Sequence, residues 1–236
     1  MDLLKHTFFI NLESRKDRLN HVKNELKKLG IEGERFNAVK MNNGAIGCTL
    51  SHIKCLELAK ERNYPQIFIC EDDITFLKPK VLLESLHKFE KSENGKDWDV
   101  IIIGGNNCPP YINIDDYAIR VSNCQTTTGY IVNNNYYNTL ISNFRESVKN
   151  LLKNPENVKE YAIDIYWKKL QFEDKWYMII PATVIQKEDY SDIEQRQVDY
   201  KNLMLDIDKE WLFSRERLKA MMQPQFSTMK CYSRNI

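Results

Sequence analysis

An apolar run in the first third of the chain, Gln66-Ile67-Phe68-Ile69-Cys70, ends directly in the three carboxylates Glu71-Asp72-Asp73. β-Branched and aromatic residues in a run of this length predict a buried strand. Open α/β sheets bind their ligands beyond the carboxyl ends of their strands. Clustered carboxylates repel one another unless a cation lies between them, and hard divalent cations prefer such oxygens and often bridge them to phosphates. The run therefore predicts a site for a metal ion and a phosphorylated ligand. An acidic, solvated corner between strand and loop is the alternative that the tripeptide alone leaves open.

Strands and helices are predicted to alternate along most of the chain. Apolar residues at helical spacing predict a helix over 16–29, between a strand at 7–12 and the strand that ends at Glu71. Further strands are predicted at 35–39, 99–105, 127–132 and 176–180, and further helices at about 49–63, 81–91, 136–152 and 198–222. Thr49 or Ser51 is expected to cap the second helix. This alternation is typical of an α/β fold. We expect one domain over 1–197, with a helical C-terminal extension over 198–236 packed on it.

Composition excludes several classes of function. The net charge is +1 at pH 7, so no bulk attraction for nucleic acid is expected. No apolar run approaches the roughly 20 residues of a membrane span, and the first ten residues lack the layout of a signal peptide. None of the six cysteines forms a C-x-x-C pair, which argues against a zinc cage. We expect a cytoplasmic chain with reduced cysteines.

Several short motifs occur in an order that resembles a known family. Phe9-Ile10-Asn11-Leu12 with Arg15, Asp17 and Arg18 is similar to an I-N-L-x-x-R-x-D-R opening, and Phe36-Asn37-Ala38-Val39 to an R-F-x-A-V segment. The later matches are Gly47-Cys48-Thr49-Leu50-Ser51-His52, Glu71-Asp72-Asp73, Trp98-Asp99, and Gln186 followed by Ser191-Asp192-Ile193. Together they resemble glycosyltransferase family 25, which contains lipooligosaccharide galactosyltransferases and collagen hydroxylysine galactosyltransferases. The resemblance runs from about residue 7 to residue 193.

The resemblance implies a GT-A-like nucleotide-sugar-binding fold with a mostly parallel central sheet flanked by helices. It also implies a UDP-sugar donor, Mn2+ (or Mg2+) and inversion at the anomeric carbon. The expected reaction moves a hexose to a hydroxyl of a glycan or of hydroxylysine. Galactose is the preferred hexose, and glucose is the alternative. One departure is Ala45, which stands where the family commonly has Glu. A catalytically inactive sugar-nucleotide-binding protein is the non-enzymatic alternative.

The metal is assigned to the acidic tripeptide. By resemblance, Asp73 is expected to contact the ion directly, and Asp72 to contact it directly, through water, or to bind the ribose. Glu71 is expected to orient its neighbours or contact the nucleotide. All four histidines precede the middle of the chain, so a late histidine ligand is excluded; Asp189, Asp192 or water is left to complete the shell, with Asp192 preferred.

Donor contacts are expected from the first strand, the second helix and the later strands. Arg15 and Arg18 follow the first strand, and guanidinium groups bind phosphate in a bidentate manner; two solvated charges at a helix start are the alternative. His52 is assigned to the donor phosphate, or else to a packed structural role. The full set of expected donor-binding residues is Asn11, Leu12, Arg15, Arg18, Ser51, His52, Glu71, Asp72, Gly104, Thr128 and Gly129.

Inversion requires a general base that takes the proton of the acceptor hydroxyl. Asp164, in Tyr161-Ala162-Ile163-Asp164-Ile165, lies where the family has a similar Asp-containing segment, and apolar neighbours would raise its pKa. A helix N-cap is the structural alternative for Asp164. Glu71-x-Asp73-x-Thr75 also mimics the D-x-D-x-T motif of haloacid dehalogenase phosphatases, but Glu occupies the position of the nucleophilic aspartate. We expect a homodimer, if one forms, to pair through the C-terminal helix.

Overall fold

The computed structural model describes residues 2–191 and 196–212. Its strands are β1 (Thr7–Asn11), β2 (Glu34–Asn37), β3 (Gln66–Glu71), β4 (Ile74–Phe76), β5 (Val100–Asn107), β6 (Tyr111–Asp115), β7 (Ala118–Val121), β8 (Cys124–Asn133), β9 (Trp176–Ile179), β10 (Val184–Gln186), β11 (Asp189–Ser191) and β12 (Arg196–Val198). Its helices are α1 (Lys16–Lys28), α2 (Gly44–Glu61), α3 (Pro79–Lys91), α4 (Tyr137–Lys153), α5 (Val158–Tyr161), α6 (Ile163–Tyr166), α7 (Lys168–Glu173) and α8 (Lys201–Leu205). The α/β class is confirmed.

Eight strands form the central sheet, in the order β2-β1-β3-β8-β5-β9-β7-β6. Strands β2, β1 and β3 are parallel neighbours, as are β5 and β9. Strand β8 lies antiparallel between β3 and β5, and β7 lies antiparallel between β9 and β6. All strands except β8 and β7 therefore run in one direction, which confirms a mostly parallel sheet. Two small antiparallel pairs, β4 with β10 and β11 with β12, lie beside it.

The sheet is covered on both faces. Alternate residues of each strand enter opposite cores: Phe8 and Ile69 belong to one cluster, and Phe9 and Phe68 to the other. Helices α2 and α4 contribute to the first core, and α1 and α3 to the second. Burial on both faces explains why the strands read as nearly continuous apolar runs. Within the described part of the chain, no helix has the length and apolar character needed to cross a bilayer.

Two of the helix predictions need correction. Helix α2 begins at Gly44, five residues before the expected cap at Thr49, and its N-cap is Asn43. The tail prediction of one helix over 198–222 is wrong between Asp206 and Leu212, where the structure has turns after the short α8. There the Asp206 carboxylate accepts hydrogen bonds from the backbone N–H groups of Asp208 (3.2 Å) and Lys209 (2.9 Å), which favours a turn over a further helical turn. Residues 213–222 lie outside the described residues.

Candidate functional site

The acidic tripeptide lies at the carboxyl edge of the parallel strands. Strands β1 and β3 pair with Ile10 opposite Glu71, so the residues that follow them meet just beyond the sheet. There the buried amide of Asn11 donates a hydrogen bond of 2.7 Å to Asp72 Oδ2. The residues that follow the first and third strands therefore lie together at the carboxyl edge of the sheet, the edge at which open α/β sheets bind ligands.

Arg18 on α1 reaches over this edge. Its Nη1 lies 3.2 Å from Asp72 Oδ1 and 3.1 Å from Asp73 Oδ2, and its Nε donates to Asp189 Oδ2 at 3.1 Å. Arg15 Nη2 also donates to Asp189 Oδ2, at 2.8 Å. The two arginines are therefore part of the carboxylate cluster, and the alternative of two free surface charges does not describe them.

Asp73 carries the least satisfied charge of the tripeptide. Its Oδ1 is buried without a hydrogen-bond partner among the described residues. Burial raises the pKa of Asp73, the charge of Glu71 raises it further, and Arg18 opposes both; the result is about 8. A buried carboxylate oxygen of this kind gains most from a nearby cation. The donor set of Asp72 and Asp73 thus fits a hard divalent ion.

Glu71 lies in a different environment from its two neighbours. Its Oε1 accepts a hydrogen bond from Thr127 Oγ1 at 2.6 Å, and its Oε2 accepts one from Gln186 Nε2 at 3.1 Å. His52 Nε2 lies 3.7 Å from Glu71 Oε1. Burial raises the pKa of Glu71, but His52, Thr127 and Gln186 together outweigh burial, so its pKa is lowered. These contacts accordingly favour the ionised form of Glu71.

Asp164 lies on the short helix α6 and contacts Thr126, the chain neighbour of the Thr127 that donates to Glu71. Burial raises the pKa of Asp164, and among the smaller causes the charge of Glu71 also raises it. Its Oδ2 accepts a 3.0 Å hydrogen bond from the backbone N–H of Thr126, whose φ of 74° is uncommon for a β-branched residue. The N-cap of α6 is Ala162, so the N-cap alternative for Asp164 is wrong.

Cys48 on α2 is influenced by the acidic tripeptide and by Asp164. Burial raises the pKa of its thiol, and the charges of Glu71, Asp164 and Asp73 raise it further. All three carboxylates are therefore close enough to act on one thiol. The charges of Asp164 and of Asp73 thus both act on Cys48.

Residues 39–151 match the profile of a family described as Glycosyltransferase family 25 (LPS biosynthesis protein). A putative glycosyltransferase of Haemophilus influenzae is 29% identical over 121 residues, which cover 39% of this chain and 43% of that protein. A Glycosyltransferase 25 family member of Anopheles gambiae is 25% identical over 195 residues, which cover 69% of this chain and 31% of that protein. The family profile and these relatives support the resemblance of residues 39–151 to glycosyltransferase family 25. The chain spans less than half the length of these curated relatives.

Solved structures resemble this chain more loosely. A glycosyltransferase involved in the glycosylation of the major capsid of PBCV-1 has a TM-score of 0.49 and 10% identity, over 92% of this chain and 97% of that chain. A197 from STIV has a TM-score of 0.47 and 14% identity, over 83% of this chain and 93% of that chain. Both TM-scores lie below 0.5, so neither likeness bears on function.

The family 25 match includes helix α2 and the acidic tripeptide but ends before Asp164 and begins after Arg18. The positions of Arg18 and Asp164 at the site therefore rest on the structure of this chain. Asp192, the preferred third metal ligand, lies outside the described residues. Asp189, its alternative, is engaged by Arg15 and Arg18.

Two other residues that were expected to bind the donor make contacts within the protein. Ser51 is fully buried; its hydroxyl donates to Gly47 O at 2.7 Å and accepts from Val39 N at 2.8 Å. His52 is fully buried as well, and its Nδ1 lies 2.7 Å from the Tyr130 hydroxyl. These contacts account for the Ser51 hydroxyl and for one ring nitrogen of His52, and the roles of both residues in donor binding stay predictions.

Three further candidates for the donor site lie on β5 and β8. A Cβ on Gly104 would lie 2.8 Å from Val184 Cγ1, and one on Gly129 would lie 2.8 Å from Ile74 Cδ1, so a side chain at either position would displace a neighbouring side chain. Thr128 is buried, with its Oγ1 3.4 Å from that of Thr126. Leu12, which follows β1, is half-buried, and its carbonyl accepts from Arg15 N at 2.9 Å.

Sequence reasoning missed several residues of the site. Thr127 and Gln186 hold Glu71, and Arg35 Nε donates to Asn11 Oδ1 at 2.9 Å. Gln186 and Arg35 both fall in segments that resemble the family, so the motifs themselves were the available signal. Thr127 lies at the start of a predicted strand, and nothing in the sequence distinguishes it from its threonine neighbours.

Proposed function

We propose that this protein is a family 25 enzyme, a metal-dependent, inverting glycosyltransferase that moves a hexose from a UDP-sugar to an acceptor hydroxyl, with galactose as the first candidate. One observation carries the proposal. The buried Oδ1 of Asp73 lacks a hydrogen-bond partner among the described residues, within a carboxylate cluster that also contacts Arg18. This arrangement supports a cation and a diphosphate at the edge of the sheet.

Asp72 and Asp73 would hold the divalent ion, Mn2+ or Mg2+, and Asp192 remains the proposed third ligand. When bound, the ion would offset the negative charge that develops on the leaving diphosphate. Asn11 orients Asp72 through its 2.7 Å hydrogen bond. Glu71 is proposed to position the turn, because its own oxygens are already engaged by Thr127 and Gln186.

Arg15 and Arg18 are proposed to bind the donor diphosphate. Both guanidinium groups already lie at the cluster, where Arg18 pairs with Asp72 and Asp73. Guanidinium recognises phosphate oxygens through parallel N–H donors, so a small rotation of either side chain would supply such contacts. Each arginine would then contact donor phosphate oxygens in place of aspartate oxygens, so its positive charge would still be paired with a negative one.

Asp164 is proposed as the general base. Its carboxylate takes the proton of the acceptor hydroxyl while the acceptor oxygen bonds to the anomeric carbon. The bond from that carbon to the UDP oxygen breaks, and UDP leaves with the electron pair. The Thr126 N–H fixes Asp164 Oδ2, and burial raises its pKa, which makes the carboxylate a stronger base.

The acceptor class is proposed to be a glycan or hydroxylysine. Leu12, Ser51, His52, Gly104, Thr128 and Gly129 complete the proposed donor site. A cytoplasmic location is proposed on the free state of the five described cysteines, Cys48, Cys55, Cys70, Cys108 and Cys124. A homodimer would pair through residues that lie largely outside the described part of the chain.

The test is a screen of UDP-sugars with and without Mn2+, in which thermal shift and UDP release are measured together. A ligand that binds only the native state raises the melting temperature. We expect a Mn2+-dependent shift and acceptor-dependent UDP release with UDP-galactose. Asp73→Asn should lower UDP release by about 10²-fold or more, since metal assistance is worth several kcal/mol.

The matched control is Asp116→Asn. Asp116 follows β6 on the surface and pairs with Lys88 at 2.6 Å, so its loss should leave UDP release unchanged. If the protein binds a UDP-sugar but releases no UDP with any acceptor tested, the result would favour the alternative of an inactive sugar-nucleotide-binding protein. Absence of a shift with every UDP-sugar would overturn the proposed donor.

A further inference from the structure

A second group of metal-ligating atoms lies behind the acidic tripeptide. Cys48 and His52 are four residues apart on α2, so both side chains lie on the same face of the helix. Cys48 Sγ lies 3.9 Å and His52 Nε2 lies 3.7 Å from Glu71 Oε1. The three ligand atoms all lie within 4.8 Å of one another, and no other such group occurs among residues 2–191 and 196–212.

The His52 ring supplies an independent indication of a ligand. It is fully buried, and its Nε2 has no hydrogen-bond partner among the described residues. The other ring nitrogen, Nδ1, lies 2.7 Å from the Tyr130 hydroxyl. Metal-binding histidines commonly have this arrangement, in which a hydrogen bond at one nitrogen orients the other toward the ion. A buried ring nitrogen aimed at a carboxylate and a thiol is thus ready to coordinate.

We propose that Cys48, His52 and Glu71 bind one Zn2+ ion. Zinc takes sulfur, imidazole nitrogen and carboxylate oxygen in tetrahedral sites, with bonds of about 2.0–2.3 Å, so its ligand atoms lie roughly 3.3–3.8 Å apart. The two separations from Glu71 Oε1, 3.9 and 3.7 Å, lie close to that range, and the Cys48 and His52 ligand atoms lie within 4.8 Å of each other. A fourth position is left for water or a ligand atom.

The donor set separates this site from the carboxylates of Asp72 and Asp73. Thiolate and imidazole ligands favour Zn2+, whereas a pair of carboxylates favours Mg2+ or Mn2+. Glu71 directly precedes Asp72 and also accepts hydrogen bonds from Thr127 and Gln186. An ion on Glu71 would therefore fix the turn that carries the other two carboxylates.

The test is a titration of the metal-free, full chain with Co2+, which reports ligand type by absorption. We expect one equivalent of Co2+ to give a thiolate charge-transfer band and the intense visible bands of tetrahedral cobalt, both lost on addition of Zn2+. Cys48→Ser should remove the charge-transfer band and weaken Zn2+ affinity at least tenfold. Cys108→Ser, a change at another partly buried free cysteine, should keep both signals.

Two further measurements separate the outcomes. Asp73→Asn should leave the cobalt spectrum unchanged, so that failure of the proposed transferase function and failure of the zinc site are distinguishable. Zn K-edge absorption of the wild-type chain with one equivalent of Zn2+ should show one sulfur at about 2.3 Å. A shell of nitrogen and oxygen alone, or a charge-transfer band that persists in Cys48→Ser, would overturn the proposal.

Discussion

Glu71, Asp72 and Asp73 are consecutive in sequence, yet each meets a different set of partners. Thr127 is among the donors that lower the pKa of Glu71, Asn11 donates to Asp72, and Asp73 has a buried oxygen with no partner among the described residues. The sequence predicts an acidic cluster at a strand end. It cannot assign separate roles to its members, because their partners come from distant strands that meet only in the fold.

Asp164→Asn tests the proposed base at the scale of one atom. The amide can still accept the Thr126 N–H, so the local backbone is retained, but it cannot take a proton. We expect turnover to fall by roughly 10²–10⁴-fold with donor affinity preserved. Steady-state kinetics of UDP release, together with donor binding by calorimetry, measures both. Normal turnover with lost donor affinity would make Asp164 a binding residue instead.

The same substitution tests the raised pKa of Asp164. Its folded-state pKa lies above the ordinary value of 3.8, because burial disfavours the charged form. The folded state therefore holds this proton more tightly than the unfolded chain does. The contribution of this proton to the stability of the folded state is fully present at pH values below the unfolded-state pKa of Asp164. It is lost as pH rises through the folded-state pKa.

Asp164→Asn does not titrate at this position, so its melting temperature should fall less than that of the wild type as pH rises from about 4 to 7. Thermal unfolding in chelator-containing buffers across this range measures the difference. Asp116→Asn, the exposed control, should follow the wild type. Identical slopes for wild type and Asp164→Asn would show that Asp164 is ionised freely in the fold.

At the scale of elements, the start of α2 shows where sequence patterns mislead. Thr49 and Ser51 are good capping residues, but their hydroxyls bond back to the carbonyls of Ala45 and Gly47, at 2.8 and 2.7 Å, within the helix. Gly44 and Gly47 lie in the first turn of α2, and the low helix propensity of glycine favours a loop for these residues in a sequence-based prediction. The actual cap is Asn43, whose Oδ1 accepts from the N–H groups of Ala45 and Ile46.

Asn43→Ala should therefore destabilise the protein by about 1 kcal/mol through loss of the cap. The substitution also removes the 3.2 Å hydrogen bond from Asn43 Nδ2 to Pro155 O. Urea unfolding measures the free-energy change, with exposed Asn42→Ala as the neighbouring control. Equal stability of the two variants would show that the cap does not determine the start of α2.

At the scale of the whole molecule, local patterns predict the elements better than their arrangement. Apolar runs identified β1, β3, β5, β8 and β9 as strands, and burial on both faces explains their clarity. The reversed insertion of β8 between β3 and β5 depends on pairing between distant segments, which no local pattern encodes. The short β4–β10 pair was missed for the same reason, although it brings Gln186 to Glu71.

The segment after β12 is connected to the site through this small pair of strands. Met204 on α8 is fully buried, and Gln186 N donates to its sulfur at 3.3 Å. The side chain of Gln186 in turn donates to Glu71. Asn107, at the end of β5, donates to Ile207 O at 3.1 Å, so the segment is held at the same edge of the sheet as the candidate site.

Met204→Ala tests whether this segment supports the site. Truncation of a buried methionine costs about 2–5 kcal/mol, and here the loss falls on a segment at the periphery of the sheet. We expect faster amide exchange in α8 and β10 and little change in β3 and β8. We also expect weaker donor binding, because Gln186 loses its contact with the Met204 sulfur. Leu203→Ala, at the half-buried neighbouring position, should change all three much less. Uniform acceleration across the central sheet would instead show that α8 unfolds only with the whole domain, and that the segment has no separate influence on the donor site.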